Sequence, residues 1–169
     1  VIRIRTGGAG DVPALLGLFD QAVAWLAARG RAAQWGDRPW SERPERVDMV
    51  RGLVDGGDLW IAESGGGAAG ALLVAEQPMP YVPAAAEREL YIRLLITART
   101  HAGEGIGAAL LDRARQEAAD RGIALLRVDC WAGGDGALIG YYERAGFTPT
   151  ERIPVKDTEV QVFEQRLPG

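Results

Sequence analysis

Gly103-Glu104-Gly105-Ile106-Gly107-Ala108 lies between two apolar runs, Leu90–Ile96 and Ile123–Val128, and a periodic stretch ending at Arg121 follows it. This order predicts strand, glycine-rich loop, helix and strand. A helix start presents backbone N–H groups with no partner inside the helix, and its dipole favours negative charge. Glycines let the backbone approach a ligand closely, so the stretch reads as a phosphate cradle. Within the helix Ile106, Leu110, Ala114 and Ala118 fall on one stripe with Leu111 beside them, which gives the helix a face for a sheet. Arg113, Arg115, Glu117 and Asp120 are left for solvent, and Gly122 ends the helix.

Two phosphate-bearing ligands fit such a loop. For a dinucleotide, Gly103, Gly105 and Ala108 satisfy G-x-G-x-x-G/A, and Asp129 closes the next strand about 20 residues on, where a ribose-binding acid would stand. The position in the chain argues against it, because a doubly wound fold begins with this unit and needs several further parallel strands. Here about 90 residues come first and about 40 follow, enough for one helix and a strand pair.

The second reading rests on a further segment, Tyr141-Tyr142-Glu143-Arg144-Ala145-Gly146-Phe147. Loop and segment together resemble the GCN5-related N-acetyltransferase (GNAT) family, with its Arg/Gln-x-x-Gly-x-Gly/Ala phosphate motif and its (Phe/Tyr)-Tyr-Glu-x-x-Gly-Phe helix end. The resemblance covers roughly residues 59–150 by order of elements and is sharp at these two motifs. Two positions depart from the pattern. Ala102 stands where the family has Arg or Gln, and Asp135, seven residues before Tyr142, stands where it often has Asn.

The resemblance implies a single α/β (α+β) domain over residues 1–169: a mixed, mostly antiparallel central sheet flanked by helices, with one βαβ acyl-CoA-binding unit. It implies an acetyl-CoA-dependent N-acetyltransferase that passes the acyl group directly to a primary amine. A small-molecule amine is favoured, since nothing marks an extended peptide groove. Residues Ala102, Gly103, Glu104, Gly105, Ile106, Gly107 and Ala108 would hold the cofactor's phosphates. Leu95, Ile96 and Thr97, where two parallel strands splay, would offer backbone donors to the cofactor and to the oxyanion. Asp135 would lie on the cofactor side, and the Tyr142 phenol would protonate the departing thiolate. The other function classes are a non-catalytic acyl-CoA-binding sensor, motivated by Ala102 and Asp135, and an NAD(P)-dependent oxidoreductase. A homodimer is common among such folds, though no feature of this sequence demands one.

On the acceptor side, Glu89, Tyr91 and Arg93 alternate onto one strand face, and Tyr91 falls near the place where some relatives carry a catalytic glutamate. Tyrosine is a poor base at neutral pH. Asp129 can take a proton or bind an ammonium group, or it can cap a loop. Trp35 and Trp40, in the irregular stretch 30–44, either line the acceptor pocket or close the domain over its core, and Trp35 is the candidate contact. His101, the only imidazole, precedes the phosphate loop and is read as an exposed or phosphate-side residue rather than a base. Cys130, a lone thiol in an apolar strand, reads as inert packing and excludes an internal disulfide.

The remaining chain supplies an N-terminal strand at Ile2–Ile4, a helix after Asp11 that ends at Gly30, a second helix over Pro44–Val54, a hairpin of Leu59–Glu63 with Gly70–Ala75, a proline-marked loop at 78–83, a short helix over Ala137–Ala145, and strands Phe147–Ile153 and Glu159–Gln165. Composition is that of an ordinary globular chain, at 47% hydrophobic and 25% charged. Net charge of −4 opposes nucleic-acid binding. No metal is expected with one cysteine and one histidine. No apolar run approaches the roughly 20 residues of a membrane span. The start Val1-Ile-Arg-Ile-Arg lacks a long apolar core, which points to the cytoplasm. Lys156 is the single lysine among 19 basic residues, a bias typical of a GC-rich bacterial genome.

Overall fold

The computed structural model describes residues 1–28 and 38–168. Among the described residues seven strands and four helices follow in the order β1 (Arg3–Thr6), α1 (Val12–Ala28), α2 (Pro44–Asp55), β2 (Asp58–Ser64), β3 (Gly67–Ala75), β4 (Glu89–Thr97), α3 (Ile106–Asp120), β5 (Leu125–Trp131), α4 (Ala137–Arg144), β6 (Thr148–Val155) and β7 (Thr158–Arg166). The strands form one sheet in the order β1-β2-β3-β4-β5-β7-β6. β4 and β5 run parallel, while β1–β2, β5–β7 and β6–β7 are antiparallel pairs. The sheet is mixed and mostly antiparallel, with α3 as the parallel crossover, and it lacks the run of parallel strands that a doubly wound dinucleotide fold needs.

The chain divides into two compact units, Val1–Leu73 with Leu94–Leu111, and Val74–Arg93 with Asp112–Gly169. In the first, Leu15, Phe19 and Val23 of α1 meet Val50 of α2, Ile61 of β2, Leu73 of β3 and Ile96 of β4 in a common core. Phe19 stacks on Trp40 at 4.3 Å, and Ser41 binds Asp20 through both its N–H (3.1 Å) and its hydroxyl (2.6 Å). Trp40 is therefore a core-closing residue. Trp35 and the Gly30 helix end lie outside the described residues. Asp11 turns its carboxylate back to the Gly8 N–H (3.0 Å) and to Arg5 (2.8 Å), and the Arg5 guanidinium holds it below the usual carboxylate range.

One expectation is corrected here. Ala9–Ala28, the turn before α1 together with the helix, is long and apolar enough by composition to cross a membrane. Its side chains Val12, Leu15, Leu16, Phe19, Ala22 and Val23 are instead spent on the core of this unit.

Helix α3 meets the sheet closely because β3 carries Gly70. A Cβ there would stand 2.7 Å from Ile106 Cγ2 and 3.0 Å from both the Ile96 carbonyl oxygen and Leu110 Cδ1. In the second unit β5 is central. Its alternation sends Leu126 and Val128 to one face and Arg127 and Asp129 to the other. The β5 strand spans Leu125–Trp131, and the Ile123 N–H before it is taken by the Ala118 carbonyl (2.8 Å) in closing α3 after Gly122.

Candidate active site

The glycine loop follows a 3-10 turn over Arg99–His101. Gly103 and Gly105 hold φ of +85° and +79°, in the left-handed region that favours glycine, and nothing lies within 4 Å of a Cβ built on either. Gly103, Glu104, Gly105 and Ala108 are exposed. The first bond of the helix runs from the Ala109 N–H to the Gly105 carbonyl (3.1 Å), so the N–H groups of Ile106, Gly107 and Ala108 precede it. Unspent donors, a helix dipole and open space above two glycines suit a pyrophosphate. Ala102 gives its N–H to the Arg99 carbonyl (3.3 Å), and its methyl adds no donor. The Glu104 carboxylate is drawn sideways to His101 Nδ1 (2.9 Å) and Ser64 Oγ (3.0 Å), and those hydrogen bonds hold it below its usual range. His101 thus serves the loop's edge.

The β4–β5 ladder pairs Glu89–Ile92 with Leu125–Val128 and goes no further, although β4 continues to Thr97 and β5 to Trp131. Leu95, Ile96 and Thr97 stand past the end of that ladder.

Tyr142 is buried at 6% exposure on α4, with Tyr141, Phe147 and Phe163 around its ring at 5.2–5.8 Å. Burial, with smaller contributions from Cys130, Tyr141 and Asp129, pushes its phenol far above the usual value. The Asp135 carboxylate accepts the Ala137 N–H (3.0 Å) and so secures the start of α4. Cys130 is buried, its thiol pushed up to about 12 mainly by burial.

The opposite face of β5 carries the acceptor-side candidates. Asp129 Oδ1 accepts the Tyr81 phenol (3.0 Å), and Oδ2 accepts the Tyr91 phenol. Asp129 is not a loop cap: it sits within β5, opposite Val162 of β7. Burial raises its carboxyl above the usual range, against the downward pull of both phenols and of Arg127. Tyr91 is fully buried, and its phenol is pushed far up by burial and by the Asp129 charge. It donates to Asp129 and cannot act as a base.

Sequence reasoning missed Tyr81 and the ion pair beneath it. Arg127 binds Glu89 (2.9 Å) and the Pro83 carbonyl (3.1 Å), and Glu89 accepts the Ala85 N–H (2.7 Å). Glu89 and Arg127 are both buried. On the other side of Tyr81, Arg93 binds the carbonyls of Gln77 and Pro78, each at 3.0 Å. The proline-marked loop is thereby tied at both ends, and the tyrosine inside it was the one available clue. Among the described residues no group of three His, Cys, Asp or Glu could hold a metal ion.

A βαβ unit with an open phosphate cradle, set in a mostly antiparallel sheet, has the build of an acyltransferase. The model of the acetyltransferase (GNAT) family matches residues 21–147, and the chain belongs to that family. Membership makes it an acyltransferase, of a family whose acyl donor is acetyl-CoA. Solved structures agree on the fold. The ribosomal-protein-alanine N-acetyltransferase from Brucella melitensis is 23% identical with a TM-score of 0.66, over 98% of this chain and 99% of that one. A GNAT-family acetyltransferase from Listeria monocytogenes is 18% identical with a TM-score of 0.71, over 98% and 95%. The Salmonella typhimurium protein yncA, solved with its cofactor acetyl-CoA, is 20% identical with a TM-score of 0.64, over 100% and 95%. No curated protein sequence matches this chain.

Proposed function

We propose that this protein transfers an acetyl group from acetyl-CoA directly to a primary amine of a small molecule. The observation that carries the reading is the row of unspent N–H groups at Ile106, Gly107 and Ala108 behind Gly103 and Gly105. In this reading the residues from Ala102 to Ala108 take the pyrophosphate on backbone amides, so the missing side chain at Ala102 weakens the cradle without abolishing it. Leu95, Ile96 and Thr97 give backbone donors to the cofactor arm and to the oxyanion. Asp135 supports the cofactor side by fixing the start of α4.

The amine must lose one proton and the thiolate must gain one. The ammonium first gives one proton to solvent; the neutral amine then adds to the thioester carbonyl, the tetrahedral intermediate expels the thiolate, the Tyr142 phenol gives its proton to the sulfur, and the surplus proton on nitrogen leaves to solvent. Products are the acetamide and free coenzyme A, and Tyr142 recovers its proton from solvent. Asp129 holds the acceptor, and Tyr91 acts from behind by fixing the Asp129 carboxylate. No nucleic acid enters the reading, in keeping with a net charge of −4.

Release of free thiol over a panel of amines tests this. Tyr142→Phe is expected to lower kcat by about 10²-fold while the acetyl-CoA-induced rise in melting temperature stays as in the wild type. An unchanged kcat would remove Tyr142 from the chemistry. Tight acetyl-CoA binding with no turnover of any amine would make the protein an acyl-CoA sensor instead.

A further inference from the structure

Resting on that reading, we infer that the acceptor is a primary ammonium on an apolar skeleton without a carboxylate, and that Tyr81 is the specificity-determining residue that enforces this choice.

Charge comes first. A carboxylate has about four lone-pair sites, and the phenols of Tyr81 and Tyr91 occupy two at Asp129. The others remain for an ammonium. Tyr91 is sealed, whereas Asp129 and Tyr81 are only partly buried and can be met by a ligand.

Nearby cations are already engaged. Arg127 is held by Glu89 and the Pro83 carbonyl, with Glu151 at 3.7 Å from its other nitrogen. Arg93 is held by two loop carbonyls. An acceptor carrying its own carboxylate would find these guanidinium groups committed and the Asp129 charge against it. Discrimination therefore comes from repulsion as well as attraction.

The surroundings are apolar. Val82, Tyr91 and Val162 form a buried cluster, with Met79, Tyr81 and Ile153 packed against it. Such a wall suits an alkyl or arylalkyl substituent and offers an anionic one nothing.

Tyr81 links the two features. Its ring belongs to the apolar wall and its hydroxyl to Asp129, on a loop tied down on one side by Arg93 and on the other by Arg127 and Glu89. The phenol is thus pre-organised, and the cost of ordering it is met before the amine arrives.

Calorimetric titration of phenethylamine and of phenylalanine into the coenzyme A-loaded protein tests the inference without requiring turnover. Phenethylamine is expected to bind at least tenfold more tightly. Tyr81→Phe should weaken phenethylamine several-fold and leave acetyl-CoA binding unchanged, and Asp129→Asn should erase the preference for the carboxylate-free amine. Equal or tighter binding of phenylalanine by the wild type overturns the inference, as does a Tyr81→Phe protein that binds both ligands as before. The acetylation assay separates this from the reading beneath it. Transfer to phenylalanine or to a peptide N-terminus, but not to phenethylamine, sinks the specificity alone. Transfer to no amine sinks the transferase.

Discussion

Asp129 is asked to be charged in a place that resists charge. Burial raises its pKa, and two phenols and Arg127 only partly offset that. The groups facing it are Tyr81 from the loop, Tyr91 from β4 and Arg127 from β5. Burial pushes both phenols upward, so Asp129 alone among these titrates in acid. The KM for the amine should therefore climb as pH falls through a range above the ordinary aspartate value of about 3.9, with kcat less affected. Rate profiles at varied amine concentration measure this, and Asp129→Asn should lack the break. Stability runs the other way. A folded pKa above the unfolded one means the native state binds more protons in that window, so this group's contribution is present below the unfolded pKa and is lost as pH rises through the folded one. The same carboxylate costs stability where it serves binding.

The residue scale is also where the sequence said least. Tyr142 and the loop glycines stand in contiguous motifs and were readable as such. The Tyr81–Asp129 contact spans 48 positions and the Glu89–Arg127 pair 38, and no periodicity or local spacing encodes a partner at that distance. Asp129 was legible as a carboxylate at a strand end, but its two phenols were not.

Among the elements, the βαβ unit was legible nearly whole, because β4 and β5 are apolar runs and α3 carries a helical apolar stripe. Two glycines separate the physical roles in this unit. Gly105→Ala puts a methyl into open space, so its cost is conformational, about 1–2 kcal/mol for an L-residue at positive φ, and acetyl-CoA affinity should fall with it. Gly70→Ala puts a methyl 3.0 Å from a backbone carbonyl oxygen that has little room to yield, with an expected cost of about 1–3 kcal/mol from overpacking. Urea unfolding checks both. Restored stability on placing D-alanine at position 105, but not at 70, would distinguish strain in the dihedral from crowding.

At the scale of the whole molecule, two motifs and the order of elements around them made the family legible, and the family model covers residues 21–147. A ligand that binds only the native state stabilises it by about 2.7 kcal/mol at one hundred times its Kd. Acetyl-CoA should therefore raise the melting temperature, and NAD(P) should not. The most direct measurement is mass spectrometry of the products after incubating the protein with acetyl-CoA and phenethylamine. The account predicts N-acetylphenethylamine and an equal amount of free coenzyme A, both much reduced by Tyr142→Phe. Free coenzyme A without any acetylated amine, across a panel that includes phenethylamine, phenylalanine and a peptide N-terminus, would contradict it.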